Sequence, residues 1–174
     1  MPNTKALQKP ASPKPMGLVG QSLVKSKRYS ETHDKIANLY RVDPGTRISV
    51  IRNGIPATMV GYLSVTMGIS KELLLGSLGL SRATISRKEK DETALSKDES
   101  ERVIGISSLI GQVETMVAES GNPTGFNAPH WVANWLVTPL PALGGATPAS
   151  YMDTFEGQKL VSELLSMNQS GAYA

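Results

Sequence analysis

Arg82, Thr84, Ser86, Arg87 and Lys88 follow Ser81 in a short polar stretch, and together they offer the donors that nucleic-acid recognition uses. Arginine can bond the O6 and N7 edge of guanine through two parallel hydrogen bonds, hydroxyls reach bases or phosphates, and lysine neutralises a phosphate. A helix opening at Ser81 would add its own attraction for phosphate. Bond-breaking chemistry is poorly supplied by comparison. The chain has no cysteine, so disulfides, thiolate ligands and a cysteine nucleophile are all excluded, as suits a reducing compartment. Its two histidines, His33 and His130, lie far apart and lack metal-ligand spacing. Asp153 and Glu156 stand three apart, with Glu163 further on, and could align carboxylates on one helix face. The plainer reading makes them acids at a helix N-terminus. We therefore assign no catalytic residue, no metal site and no cofactor, and expect a protein that is not an enzyme.

The basic stretch needs a scaffold, and the flanking residues supply one. A helix carrying Leu74 and Leu78 meets Gly79, whose freedom at positive φ permits a tight turn; Leu80 packs beneath, and Ser81 starts a second helix anchored by Ile85. Burying those four apolar residues leaves Ser81, Arg82, Thr84, Ser86, Arg87 and Lys88 mostly on other faces, where the second helix could enter a major groove. This is the grammar of a helix-turn-helix. Two features depart from it: Leu75 and Gly76 stand where one small residue is common, and Lys88 stands where an apolar one is frequent. By themselves these residues leave a plain helical hairpin open.

Capping and periodicity extend the helical reading in both directions. After Pro56, Met59, Leu63 and Met67 recur every four residues until Gly68, and Ser70 with Glu72 opens the helix of Leu73, Leu74, Leu75 and Leu78. Ser96 and Glu99 have capping-box spacing ahead of a longer helix, along which Val103, Ile106, Ile110, Val113 and Val117 alternate steps of three and four. That stripe suits a coiled-coil seam between two chains, or, widened by Ile104, Leu109 and Met116, a core-facing helix. Asn127 and Pro129 open a helix with Trp131 and Trp135 one turn apart. Thr147 and Pro148 begin another, and Thr154 caps a last one that buries Leu160, Val161, Leu164 and Leu165. No useful period-two alternation occurs. The predicted fold is all-α, a small helical bundle.

With 174 residues, 40% hydrophobic and 5% aromatic, the chain can bury an aliphatic core of one ordinary domain or two small ones. The net charge of +3 conceals an asymmetry. Residues 1–45 carry eight Lys or Arg against three Asp or Glu, whereas residues 101–174 carry two against six. A basic front suggests a polyanion partner, and an acidic back suggests something else, although unevenly spread solubilising charge would look the same. Ser120 to Met152 lacks charged residues, but its prolines and Gly144-Gly145 break it into pieces too short to span a membrane. Met1 to Ser12 lacks the apolar run of a secretory peptide. These features predict a soluble, cytoplasmic protein with a partly flexible basic arm at 1–45, a helix-turn-helix unit at 46–120 and a second helical unit at 121–174.

The second unit carries the most specific pattern. Trp135-Leu136-Val137-Thr138-Pro139-Leu140-Pro141-Ala142-Leu143-Gly144-Gly145-Ala146-Thr147-Pro148 is followed by Met152-Asp153-Thr154, Gly157, Val161, Leu164-Leu165 and Gly171-Ala172-Tyr173-Ala174. This succession resembles the toxin-binding domain of Xre/MbcA/ParS-type antitoxins, partners of RES-domain toxins, and Gly79 to Arg87 resembles their helix-turn-helix. The resemblance spans about Pro56 to Ala174. It implies a type II antitoxin that binds operator DNA through Ser81 to Lys88 and represses its own operon; because one helix-turn-helix usually reads only half of a palindromic site, a homodimer is expected. It also implies a cognate RES-type, NAD-consuming toxin held through Trp135, Pro141, Leu143, Gly144, Gly145, Gly171, Ala172, Tyr173 and Ala174, the last four closing the toxin's active site. The other reading is a stand-alone helix-turn-helix regulator whose second half serves dimerisation or a small effector.

Overall fold

The computed structural model describes residue 31 and residues 38–121 and 123–169. Most of the basic arm, His33, and Gly171 to Ala174 lie outside the described residues. After a 3-10 turn at Asn38–Tyr40 come seven α-helices: α1 (Pro44–Asn53), α2 (Thr58–Met67), α3 (Lys71–Ser77), α4 (Arg82–Lys90), α5 (Lys97–Glu119), α6 (Ala128–Leu136) and α7 (Phe155–Gln169). Between α6 and α7 the chain makes two 3-10 turns, Pro141–Leu143 and Pro148–Tyr151. The fold is all-α. Among the described residues the one β-type pairing is an isolated bridge between Pro56 and Ala94.

Helix α2 follows Ala57 without a side-chain cap, but the other helices begin where a side chain can satisfy their first amides. Ser70 Oγ accepts from the Leu73 N–H at 3.1 Å, and Asn127 Oδ1 accepts from the His130 N–H at 3.0 Å. Ser96 and Glu99 complete a reciprocal capping box, in which Ser96 Oγ accepts from the Glu99 N–H and Glu99 Oε2 accepts from the Ser96 N–H. Thr154 Oγ1 accepts from the Gly157 N–H at 3.1 Å at the head of α7. Helix α2 stops at Gly68, which holds a φ of 68° that a larger residue would resist.

Helix α5 is the central element, packing against the Asn38–Tyr40 turn, α1, α2, α6 and α7. Val103, Ile106, Ile110 and Val113 are buried in one continuous cluster with Met59 and Leu63 of α2, Leu74 of α3, Ile85 of α4, Val132 and Leu136 of α6, and Val161 and Leu165 of α7. Each such side chain removed from water contributes roughly 1.5–3 kcal/mol. The α5 stripe is thus consumed inside the chain and is not a seam left open for a partner. The regions 46–120 and 121–174 share this core. Residues grouped by composition with the basic arm also join it: Leu39 is buried, and Arg47 donates to the Leu39 carbonyl at 3.1 Å and the Tyr40 carbonyl at 3.1 Å.

Several local expectations need correction. Pro56 lies before α2, in a clasp where the Leu95 N–H donates to the Ile55 carbonyl at 2.8 Å. Thr147 precedes the Pro148–Tyr151 turn without a side-chain cap; instead Ser150 Oγ donates to the Thr147 carbonyl. Leu160, expected on the buried face of α7, is exposed, because that helix turns only part of its apolar surface to the core.

Gly105 of α5 and Gly157 of α7 are required by packing. A Cβ at Gly157 would stand 1.9 Å from the Tyr151 carbonyl oxygen, and one at Gly105 would stand 1.8 Å from Gln158 Oε1. Gly76, by contrast, has no atom within 4 Å of where its Cβ would be. Gly157→Ala is expected to destabilise by about 1–3 kcal/mol through overpacking against backbone, whereas Gly76→Ala is expected to stabilise by about 0.5–1 kcal/mol through helix propensity. Urea denaturation of the two variants, with opposite signs of effect, checks both.

Candidate functional site

The helix-turn-helix is built on the four apolar anchors expected of it. Leu74, Leu78 and Ile85 are fully buried, Leu80 is nearly so, and Gly79 takes a φ of 60° at the turn. Ser81 Oγ accepts from the Thr84 N–H at 3.4 Å, which directs the amide end of α4 outward. Ser81, Arg82, Ser86 and Arg87 are exposed; Thr84 and Lys88 are half-buried.

Ion pairs divide the charges of α4 into two groups. Lys88 Nζ lies 2.5 Å from Glu99 Oε2 on α5, and Lys71 of α3 pairs with Glu89 of α4. These partly enclosed pairs clamp both flanks of α4. Arg82 pairs with Glu72 at 3.3 Å, but its side chain is 74% exposed. A surface pair of that kind is worth about 0–1 kcal/mol, so a guanine or phosphate can displace Glu72 at little cost. The structure therefore brings Ser81, Arg82, Ser86 and Arg87 to an open face and commits Lys88 to Glu99. Lys90, exposed at the C-terminal end of α4, adds charge that the spacing argument did not single out.

The turn itself is held from α5. Arg102 Nη1 donates to the Leu78 carbonyl at 3.1 Å and to the Gly79 carbonyl at 2.9 Å, acceptors that the end of α3 leaves without helical partners. Nothing in local spacing announces this contact, since 23 residues separate Arg102 from Gly79.

In the second half, Trp131 and Trp135 stack on one another, with ring centroids 6.0 Å apart and planes at 11°. Phe126 joins them at 6.4 Å from Trp131. Their one-turn spacing was legible; the addition of Phe126 required the loop before α6 to fold back. Beyond Trp135, the Leu140 carbonyl accepts from the N–H groups of Leu143 and Gly145, and the Leu140 N–H donates to the Ala146 carbonyl at 3.0 Å. Gly144 and Gly145 close this loop at φ values of 63° and 88°, and open space surrounds both. Pro141, Gly144 and Gly145 are exposed, Trp135 and Leu143 half-buried, so the predicted residues among 135–145 share an accessible region. Asp153, Glu156 and Glu163 are exposed, and among the described residues no group of three or more His, Asp or Glu is placed to hold a metal ion. Among the same residues, no helix is long and apolar enough to cross a membrane.

A helix-turn-helix shares its core with a second helical unit that displays a glycine-closed proline loop, which makes this a two-part all-α protein. Residues 46–107 match the antitoxin Xre-like helix-turn-helix domain, and residues 125–171 match the antitoxin Xre/MbcA/ParS C-terminal toxin-binding domain. The Prs ADP-ribosylating antitoxin of Sphingobium sp. (strain YBL2) is 43% identical over 136 residues, covering 78% of this chain and 86% of that protein. The chain belongs to the Xre/MbcA/ParS antitoxin family. Neither matched family is one of enzymes, and the protein is an antitoxin rather than a catalyst.

Glu99 ties the capping box of α5 to the clamp on α4, and its titration reports on both. Burial works to raise its carboxyl, but the hydrogen bond from Lys88, the Ser96 N–H and the Lys88 charge together hold it below the ordinary 4.5. A depressed carboxylate stabilises the fold fully above 4.5, and that contribution is lost as pH falls through the lower folded-state value. Glu99→Gln keeps an acceptor for Ser96 but loses the charge, and is expected to cost on the order of 1 kcal/mol at neutral pH. Thermal melts across pH should show the gap between variant and parent closing below pH 4.5.

Proposed function

We propose that this antitoxin neutralises a RES-type, NAD-consuming toxin by occluding its active site, and that it represses its own operon by binding the operator as a homodimer. The observation that carries this reading is the coexistence, on one core, of the open Ser81–Arg82–Ser86–Arg87 face and the exposed Pro141 to Gly145 loop beside the tryptophan stack. The first has the donors for base and phosphate contact. The second offers a rigid surface, because two 3-10 turns and a stacked aromatic pair lose little freedom when a partner docks. The relative's name joins an antitoxin to ADP-ribosylation, which fits a partner that draws on NAD.

In this mechanism the toxin docks on the 121–174 unit, and the chain beyond α7 enters its cleft. Tyr173 supplies an aromatic ring, which competes for a surface that stacks a base. Operator binding uses two copies, since one helix-turn-helix reads half of a palindromic site.

Deleting Gly171 to Ala174 is expected to release toxin activity in a co-expression growth assay while DNA binding persists; complete neutralisation by the truncated chain refutes occlusion. For the DNA half, Arg82→Ala is expected to weaken binding to the promoter fragment by about 1–3 kcal/mol and to relax sequence preference. An equal loss on every sequence assigns Arg82 to phosphate and removes it from base readout.

A further inference from the structure

The turn between α3 and α4 is gripped from α5 and α7 through the side chains of Arg102 and Gln158. Arg102 caps the Leu78 and Gly79 carbonyls by charge-assisted hydrogen bonds. Its own carbonyl accepts from Gln158 Nε2 of α7 at 3.1 Å, and the same amide donates to the Met152 carbonyl at 2.9 Å. Met152 ends the Pro148–Tyr151 turn, which itself packs on α3 and α6. Gln158 is buried, and Gly105 is the opening through which it reaches α5. Gly79 is backed directly by Asp153, whose Cβ lies 3.1 Å from where a Cβ of Gly79 would stand.

We propose that Arg102 and Gln158 are positioning residues for DNA reading: the path from Met152 through Gln158 and Arg102 to Gly79 sets the angle of α4 from the position of the second half of the chain. This rests on the operator-binding reading above. A turn angle decides whether Arg82 and Ser86 meet base edges, while contact with phosphates tolerates a few degrees of error. Loss of the path therefore lowers preference for the cognate sequence more than it lowers general affinity for DNA. By reciprocity, any partner that displaces the Met152 to Asp153 segment alters operator affinity by the same factor that the operator alters affinity for that partner.

A buried glutamine that merely satisfies its surroundings predicts a different outcome, and the molecule contains the control. Gln112, also buried between α5 and α7, donates to the Ser162 carbonyl at 3.1 Å and to Ser166 Oγ at 2.8 Å, remote from the turn. Full-length parent, Gln158→Leu, Gln112→Leu, Arg102→Ala and Arg102→Lys are titrated onto the DNA upstream of the chain's own reading frame and onto a scrambled duplex, with melts recorded in parallel. Gln158→Leu and Arg102→Ala are expected to reduce the ratio of specific to non-specific affinity about tenfold. Arg102→Lys, which still presents a cation to the two carbonyls, recovers part of it. Gln112→Leu lowers the melting temperature and leaves the ratio intact. Equal ratios for Gln158→Leu and Gln112→Leu overturn the positioning role while operator reading stands. A parent chain that does not distinguish the two duplexes overturns operator reading, and the proposal with it. If Gln158→Leu fails to fold, the Arg102→Ala and Arg102→Lys pair decides alone.

Discussion

Burial of the α5 stripe is the interaction on which the rest depends, because Val103, Ile106, Ile110 and Val113 are the surface against which both halves of the chain assemble. A helix of 23 residues is long enough to serve two units at once. Its first turns carry Glu99 and Arg102, which hold α4 and the turn before it; its middle carries Gln112, which holds α7. Interiors pack at crystal-like density, so a shift at one end of such a helix moves its neighbours as bodies. Helix α4 is consequently braced by the core behind it.

Charge on this molecule is divided between structure and availability. Lys71 and Lys88 are spent on Glu89 and Glu99, which fix α4 in place, while Arg82 keeps only a surface partner. The same logic governs the second half, where backbone hydrogen bonds close the Leu140 to Ala146 loop and leave its outer surface open. In both places rigidity is supplied from behind, and the face presented outward loses little conformational freedom on binding.

Much of this was legible before any tertiary contact was known. Ser70, Ser81, Ser96, Asn127 and Thr154 all cap helices, because capping is settled within four residues of chain. Leu74, Leu78, Leu80 and Ile85 are buried as their spacing requires, and the Trp131–Trp135 pair stacks because one helical turn separates it. The α5 stripe was ambiguous for a physical reason: a core face and a dimer seam have the same periodicity, and only the arrival of α2, α6 and α7 settles which one is formed.

Local order and the overall helical class were therefore determined by the sequence itself, through interactions that reach no further than a turn or two. What tertiary structure alone decided is where charges and polar groups are committed. Lys88 of α4 gains Glu99 as a partner only when α5 comes alongside, and Leu160 looks like core until α7 is seen to rotate it outward. Arg102 and Gln158 acquire their partners across 24 and 56 residues of chain. Such pairings depend on the relative placement of whole helices, a quantity that no short-range pattern encodes.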